Sequence, residues 1–161
     1  MSVTIRRILD MGPHVEDLKV LHRAHWDESK EVGQFNFQYD MFRNLWNIGQ
    51  IRTYGLFHWD RLVGHATAYL STNLQTGERS AEDHALYVLP EYRTGYGAAL
   101  WRFAEQQLRE EGVGDMGLTI APDNRIRLLA TRMGYRHVSN RYVKRLNPRI
   151  EHEQAITTGA T

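Results

Sequence analysis

The first half of the chain alternates between strand-like and helix-like spacing of apolar residues. Apolar and polar positions alternate in residues 2–9, which predicts a first strand. Apolar side chains at helical spacing predict one helix in residues 14–26 and a second, shorter helix in residues 35–49. Alternation returns in residues 51–71 on both sides of a polar break at 59–61, and this pattern predicts a hairpin.

The second half continues with strands and helices in turn. Its predicted elements are a short strand at 84–89 that ends at Pro90, a helix at 96–111, a strand at 116–121, a helix between Asp123 and the stop at Gly134, and two closing strands at 136–139 and 141–146. The order βααβββαβαββ predicts an α/β (α+β) fold, with helices on the faces of a mixed, mostly antiparallel sheet. We expect one domain over residues 1–146 and a flexible tail over residues 147–161.

Composition narrows the class of protein. The 161 residues carry a formal net charge of +1 and contain no cysteine. A net charge this close to zero gives no overall electrostatic attraction to nucleic acid or a membrane surface. The absence of cysteine excludes disulfides and a cysteine nucleophile. The eight histidines show no metal-binding spacing, so we expect no metal. No apolar run reaches the length of a membrane span, and we expect a cytoplasmic protein.

The stretch RTGYGAAL, residues 93–100, places an arginine and two glycines where a helix is predicted to begin. Glycines at a helix start leave backbone N–H groups uncovered, and these groups carry the positive end of the helix dipole. An arginine beside them adds a further donor for an anion such as phosphate. Two glycines alone are equally consistent with a tight turn. A dinucleotide fingerprint and a P-loop are both excluded, because Leu100 stands where a small residue is needed and Gly-Lys-Ser/Thr is absent.

The wider segment LYVLPEYRTGYGAALWRFAEQQLREEG resembles the central motif of the GNAT acyltransferases, which move an acyl group from coenzyme A to an amine. Gly95 and Gly97 match the glycine spacing of the Arg/Gln-x-x-Gly-x-Gly/Ala pattern of that motif, with Arg93 one residue closer to Gly95 than the pattern has it and Ala98 directly after the second glycine. The later segment APDNRIRLLATRMGYRHV is similar to the family's asparagine-containing helix. The resemblance covers roughly residues 3–146, and it implies the GNAT fold and acetyl-CoA as the acyl-donor co-substrate.

The resemblance also implies which residues hold the coenzyme. The diphosphate is expected on the N–H groups of residues 93–98, the pantetheine arm along the backbone of residues 86–88, and a further contact from the second motif. The implied coenzyme contacts are therefore Leu86, Tyr87, Val88, Arg93, Thr94, Gly95, Tyr96, Gly97, Ala98 and Asn124.

Catalytic residues follow from the same resemblance. An alkyl ammonium must lose its proton before it attacks a thioester, which costs about 4–5 kcal/mol at pH 7. Family members often place a base eleven or nine residues before the motif arginine, and these positions are Glu82 and His84. A solvated lead-in to the strand explains the same residues without catalysis. The tyrosine that often protonates the leaving thiolate is replaced here by Ala130, so either the thiolate leaves unassisted or another group substitutes. Tyr142 and Tyr135 are the candidate substitutes, and core packing is the plainer role of both.

The acceptor is expected to be a small-molecule amine, or a lysine or N-terminal amine, and to bind at the first two helices and their joining loop. That segment supplies aromatic and acidic side chains suited to a cation, namely Trp26, Asp27, Glu28, Glu31, Phe35, Phe37 and Tyr39. Core aromatics and solvated acids are the plainer interpretation of the same residues. Two other functions stay open: a catalytically weak acyl-CoA-binding module, and acylation of a protein or tRNA target. A homodimer is also compatible with the sequence.

Overall fold

The computed structural model describes residues 2–29, 33–120 and 126–138. In chain order, the elements are β1 (Val3–Arg7), α1 (Val15–Ser29), α2 (Tyr39–Asn47), β2 (Ile51–His58), β3 (Arg61–Thr72), β4 (Arg79–Val88), α3 (Arg93–Glu110), β5 (Asp115–Gly117) and α4 (Ile126–Arg132). Short 3-10 turns at Gly12–His14 and Pro90–Tyr92 lead into α1 and α3. This is the mixed α/β fold that the sequence predicts.

The five strands form one sheet in the order β1-β2-β3-β4-β5. Strands β1 to β4 pair antiparallel, as hairpin-like neighbours can, whereas β5 lies parallel to β4. A parallel neighbour needs a crossover connection, and α3 supplies it. The mostly antiparallel sheet is therefore confirmed, and its parallel edge follows directly from the helix between β4 and β5.

Helices cover both faces of the sheet. On one face, Leu18 and Leu21 of α1 and Phe42 of α2 pack in a cluster with strand residues that include Ile51 and Phe57. On the other face, a second cluster joins α3 to the alternate residues of the same strands. The period of two in a strand sends successive side chains to opposite layers, so each central strand contributes to both cores.

Helix α3 is anchored by a stripe of buried residues. Leu100, Ala104 and Leu108 recur every four residues and are at most 2% exposed, which places them on one face of a helix. Burying a leucine side chain contributes on the order of 1.5–3 kcal/mol. The opposite face of α3 meets solvent. None of the helices in the described residues combines the length and apolar character needed to cross a membrane.

Strand β4 contains an irregularity that matters for the site. Thr67 and Ala68 are neighbours on β3, but their partners on β4 are Ala85 and Asp83. His84 is therefore the extra residue of a β-bulge. A bulge bends its strand and re-aims the side chains beside it, so the alternation of side chains that a regular strand has is interrupted at His84.

Several predicted boundaries differ from the structure. Strand β4 begins at Arg79, five residues before the predicted strand, and β5 ends at Gly117 rather than continuing to residue 121. Helix α2 begins at Tyr39, four residues later than predicted. Residues 136–138, predicted to open a strand, lie outside any strand, whereas the predicted strand at 141–146 and the tail at 147–161 fall outside the described residues.

Candidate functional site

The start of α3 is an open turn followed by a regular helix. Thr94 and Gly95 have non-helical backbone angles, with φ of +81° at Gly95, so the regular helix begins at Tyr96. A positive φ of this size is the left-handed conformation that glycine adopts without strain. The first N–H groups of a helix have no acceptor within the helix. They lie here beside residues 93–95, which are exposed.

The two glycines leave free space above these N–H groups. A Cβ atom added to Gly95 or Gly97 would meet no other atom within 4 Å among the described residues. Gly97 has helical backbone angles, so neither its conformation nor its packing requires a glycine. A glycine inside a helix costs about 0.8–1.0 kcal/mol relative to alanine. The cost is understandable where another molecule approaches the backbone closely.

Arg93 contacts protein on its other side. Its Nε donates to the carbonyl oxygen of Val88 at 2.8 Å, and its Nη2 donates to both carboxylate oxygens of Glu28 at 2.6 and 2.9 Å. The guanidinium carbon lies 5.3 Å from the centre of the Tyr87 ring. The predicted phosphate-binding arginine is therefore next to the exposed turn, with its guanidinium held by α1 and β4.

The edge of β4 beside this turn is open. Strand β5 pairs with β4 only from Ser80 opposite Asp115 to Glu82 opposite Gly117, whereas β4 continues to Val88. Beyond that point, the Thr119 backbone N–H donates to the Asp83 carboxylate at 2.7 Å. Burial raises the pKa of Asp83, and this hydrogen bond opposes the rise. The two strands thus separate and leave the second half of β4 without a neighbour on that side in the described chain.

The three predicted pantetheine contacts lie in the half of β4 that pairs with β3 but not, in the described residues, with β5. Leu86 is half-buried against the α3 core, whereas Tyr87 and Val88 are buried. The Tyr87 hydroxyl donates to Glu28 at 2.6 Å, and burial together with this bond raises the pKa of Tyr87 to about 12. The carbonyl of Val88 already accepts from Arg93.

Glu82 and His84 lie near the point where the strands separate. Glu82 is exposed, and its carboxyl group lies over Gly117, where an added Cβ would come within 2.7 Å of Cδ. His84 is partly buried, and its ring centre lies 4.9 Å from that of Tyr69. Burial and the neighbouring His25 lower the pKa of His84. His84 is therefore neutral near pH 7 and able to accept a proton.

A buried histidine pair lies beneath the site, and it is a feature that the sequence analysis did not identify. His22 and His65 are 4% and 0% exposed, with ring centres 4.8 Å apart. His22 Nδ1 lies 3.3 Å from the Tyr39 hydroxyl, and His65 Nδ1 lies 3.1 Å from Thr67 Oγ1. Neither Nε2 atom has a hydrogen-bond partner among the described residues. Only the apolar spacing around His22 hinted at its burial.

The predicted acceptor segment is brought together in part. Trp26, Phe35, Phe37 and Tyr39 form a chain of ring contacts with centres 4.6–6.5 Å apart. Its acids are less available than expected, because Asp27 pairs with Arg23 and Glu28 pairs with Arg93. Glu31 lies outside the described residues.

The remaining predicted site residues are distributed as follows. Asn124 and Tyr142 lie outside the described residues, and Ala130 is buried in α4. Tyr135, another tyrosine near this end of the chain, accepts from Trp101 Nε1 at 2.9 Å and donates to Glu105. Its hydroxyl therefore serves to attach the segment after α4 to α3. The described residues include no group of three or more histidine, aspartate or glutamate side chains that could hold a metal ion.

Comparison with known proteins gives a consistent result. The sequence profile of the Acetyltransferase (GNAT) family matches residues 18–135, well over half of the chain. None of the curated proteins matches it at a significant level.

Several solved structures share the fold. An acetyltransferase from Trypanosoma brucei is 17% identical with a TM-score of 0.69, over 90% of this chain and 100% of that chain. A ribosomal-protein-alanine N-acetyltransferase from Brucella melitensis biovar Abortus 2308 is 20% identical with a TM-score of 0.71, over 90% and 99%. An aminoglycoside acetyltransferase from an uncultured soil metagenomic sample is 18% identical with a TM-score of 0.71, over 88% and 95%. At these identities, the likeness shows the fold.

Proposed function

The chain belongs to the GNAT acetyltransferase family, and from that premise we propose that it transfers an acetyl group from acetyl-CoA to a primary amine by direct attack in a ternary complex. Acyl transfer is the chemistry that family membership supports. The acetyl-CoA donor, the amine acceptor and the direct mechanism are the further content of the proposal.

The observation that carries the proposal is the open start of α3. Gly95 and Gly97 leave the first N–H groups of the helix accessible, with no described atom within 4 Å of where their side chains would be. Such a helix start binds phosphate groups through its N–H groups and its dipole. We assign the coenzyme diphosphate to residues 93–98, with Arg93 as an additional charged donor.

The open edge of β4 supports the assignment of the pantetheine arm. An extended chain with amide groups can add to an unpaired strand edge through backbone hydrogen bonds. Residues 86–88 lie in the half of β4 that β5 leaves uncovered. Asn124, from the second motif, completes the proposed set of coenzyme contacts through the family resemblance.

The proposed chemistry needs one base and, at most, one acid. The amine nitrogen forms a C–N bond with the thioester carbon, the C–S bond breaks, and the sulfur leaves as a thiolate. The proton from the amine passes to Glu82 or His84, directly or through water, which offsets about 4–5 kcal/mol of ammonium deprotonation at pH 7. His84 is suited to this because burial keeps it neutral near pH 7. Tyr142 is the proposed donor of a proton to the thiolate.

The acceptor is proposed to be a cationic amine, either a small molecule or a protein amine. The ring chain from Trp26 to Tyr39 offers faces that attract a cation. Two structures with the same fold are named for amine acceptors, an aminoglycoside and a ribosomal-protein alanine. These two names define the classes to be tested first.

One observation favours a second candidate function. Ala130 is buried where many family members have the acid tyrosine, so a module that binds acyl-CoA with little turnover fits the same fold. Measuring binding and turnover separately distinguishes the two functions. Binding without thiol release from any amine would favour the module.

The test is a thiol-release screen with acetyl-CoA against alkyl amines, polyamines, aminoglycosides and peptides. Arg93→Glu is expected to abolish coenzyme binding, because it replaces a donor with a carboxylate that repels both the diphosphate and Glu28. Arg102→Glu makes the same change of charge at an exposed position of the same helix and is the matched control. Equal coenzyme affinity in the two variants would remove the diphosphate assignment.

A further inference from the structure

The Glu28 carboxylate binds the guanidinium of Arg93, which the proposed function assigns to the coenzyme diphosphate. Its Oε1 accepts from the Tyr87 hydroxyl at 2.6 Å and from Arg93 Nη2 at 2.9 Å, and its Oε2 accepts from the same Nη2 at 2.6 Å. The two hydrogen bonds, first that from Tyr87 and then that from Arg93, lower the pKa of Glu28. The carboxylate is therefore charged at neutral pH and bound to the first residue of α3.

The position of Glu28 on α1 is electrostatically unfavourable. It lies in the last turn of the helix, which contains no basic residue. The C-terminal end of a helix carries a partial negative charge of roughly half an electron, so a carboxylate there is repelled by its own helix. The donors on β4 and α3 compensate for this repulsion. Glu28 is thus held mainly by contacts from outside α1, with a smaller electrostatic contribution from His25 of the same helix.

The ion pair is also accessible to a competing anion. The side chains of Arg93 and Glu28 are 45% and 43% exposed, and exposed ion pairs are weak because water screens them. A diphosphate carries more negative charge than one carboxylate and presents several acceptor oxygens to the same donors. A diphosphate would also contact the N–H groups at the start of α3, whereas the Glu28 carboxylate bonds to the side chain of Arg93.

We propose that Glu28 is an internal anion that holds Arg93 until the coenzyme diphosphate displaces it, and that it thereby sets the affinity for the coenzyme. The proposal rests on the proposed function, because it takes the diphosphate to bind at residues 93–98. Glu28 is a positioning residue in this account, since it acts through Arg93.

The test measures binding by calorimetry, without an acceptor, for wild type, Glu28→Gln and Asp27→Asn. Each variant removes one negative charge from the last turn of α1. Glu28 pairs with Arg93, whereas Asp27 pairs with Arg23. The ligands are coenzyme A and pantetheine, which lacks the diphosphate. We expect Glu28→Gln to bind coenzyme A about two- to fivefold more tightly than wild type, as an exposed ion pair of ordinary strength implies.

The outcomes separate the inference from the function on which it rests. Tighter binding of coenzyme A by Glu28→Gln alone, with pantetheine unaffected, supports the inference. Unchanged or weaker binding by Glu28→Gln overturns it, as does an equal gain in Asp27→Asn or an equal gain for pantetheine. If wild type fails to bind coenzyme A, the proposed function fails, and the inference fails with it.

Discussion

Lowering the pH should destabilise this protein through its two buried histidines. His22 and His65 are almost completely buried, and their Nε2 atoms have no hydrogen-bond partner among the described residues. Burial lowers the pKa of His22 from 6.5 to about 3, with smaller contributions from His84 and His25, and it lowers the pKa of His65 well below 6.5. Both side chains are therefore neutral in the folded protein at any pH where the fold is normally studied.

The sign and size of the effect follow from proton linkage. Well above pH 6.5, both histidines are neutral in the folded and unfolded states, so they make no pH-dependent difference. As the pH falls below 6.5, the unfolded chain binds protons that the folded chain does not, and the free energy of unfolding decreases until the folded pKa is reached. Between about pH 7.5 and about pH 5.5 the expected loss is on the order of 1 kcal/mol per histidine and a few kcal/mol for the pair.

The assay is urea denaturation at the two pH values, for wild type, His22→Gln and His137→Gln. The His22 variant should lose on the order of 1 kcal/mol less than wild type over this pH range, whatever its absolute stability, because glutamine does not titrate. His137→Gln makes the same substitution at an exposed position and is the matched control. If wild type and His22→Gln lose the same free energy of unfolding between the two pH values, His22 is not a buried, neutral side chain in the folded protein.

Three further predictions concern the site. Gly97→Ala should raise the free energy of unfolding by about 0.5–1 kcal/mol while weakening acetyl-CoA binding in calorimetry. A variant that is more stable and binds acetyl-CoA equally well would contradict the assignment of the diphosphate to residues 93–98. Gly117→Ala should force the exposed Glu82 carboxylate to move, with little change in the urea midpoint but slower thiol release; unchanged turnover would argue against a catalytic role for Glu82. Glu82→Gln and His84→Ala should both slow turnover with the best amine, most strongly at lower pH, and pH–rate profiles unchanged from wild type in both variants would exclude them as bases.

Local sequence signals predicted the elements that local physics controls. The start of the regular part of α3 at Tyr96 agrees with the prediction, because Gly95 adopts the left-handed conformation and the chain turns there before the helix begins. The end of α2 near Gly49 agrees for the same reason, with φ of +76° at that glycine. The family motif, which is contiguous in the chain, led to the same open turn that the structure shows.

Boundaries set by distant partners could not be predicted. The first residues of β4 are polar, and nothing in their own pattern shows that β3 pairs with them from Arg79 onwards. The early end of β5 has a similar origin, since the N–H of Thr119 bonds to the Asp83 side chain, 36 residues earlier in the chain. Backbone pairing decides where a strand ends, and that pairing is not encoded by local apolar spacing.

Contacts between side chains at the site could not be predicted for the same reason. Glu28 and Arg93 are separated by 65 positions, and no residue near either one indicates that they form an ion pair. His22 stands at helical spacing with Leu18 in the sequence, but its neighbour His65 belongs to a strand, and nothing in the sequence pairs the two. Sequence patterns identify which residues can perform a chemistry, whereas the fold decides which of them are already engaged.

The most direct test of the account is an amide NMR titration of wild-type protein with coenzyme A and, separately, with pantetheine. Coenzyme A is predicted to shift the backbone N–H signals of Gly95 and Gly97, because the diphosphate accepts hydrogen bonds at the start of α3, whereas pantetheine should leave these two signals in place. Coenzyme A that binds without moving either glycine signal would contradict the central claim that this helix start holds the coenzyme.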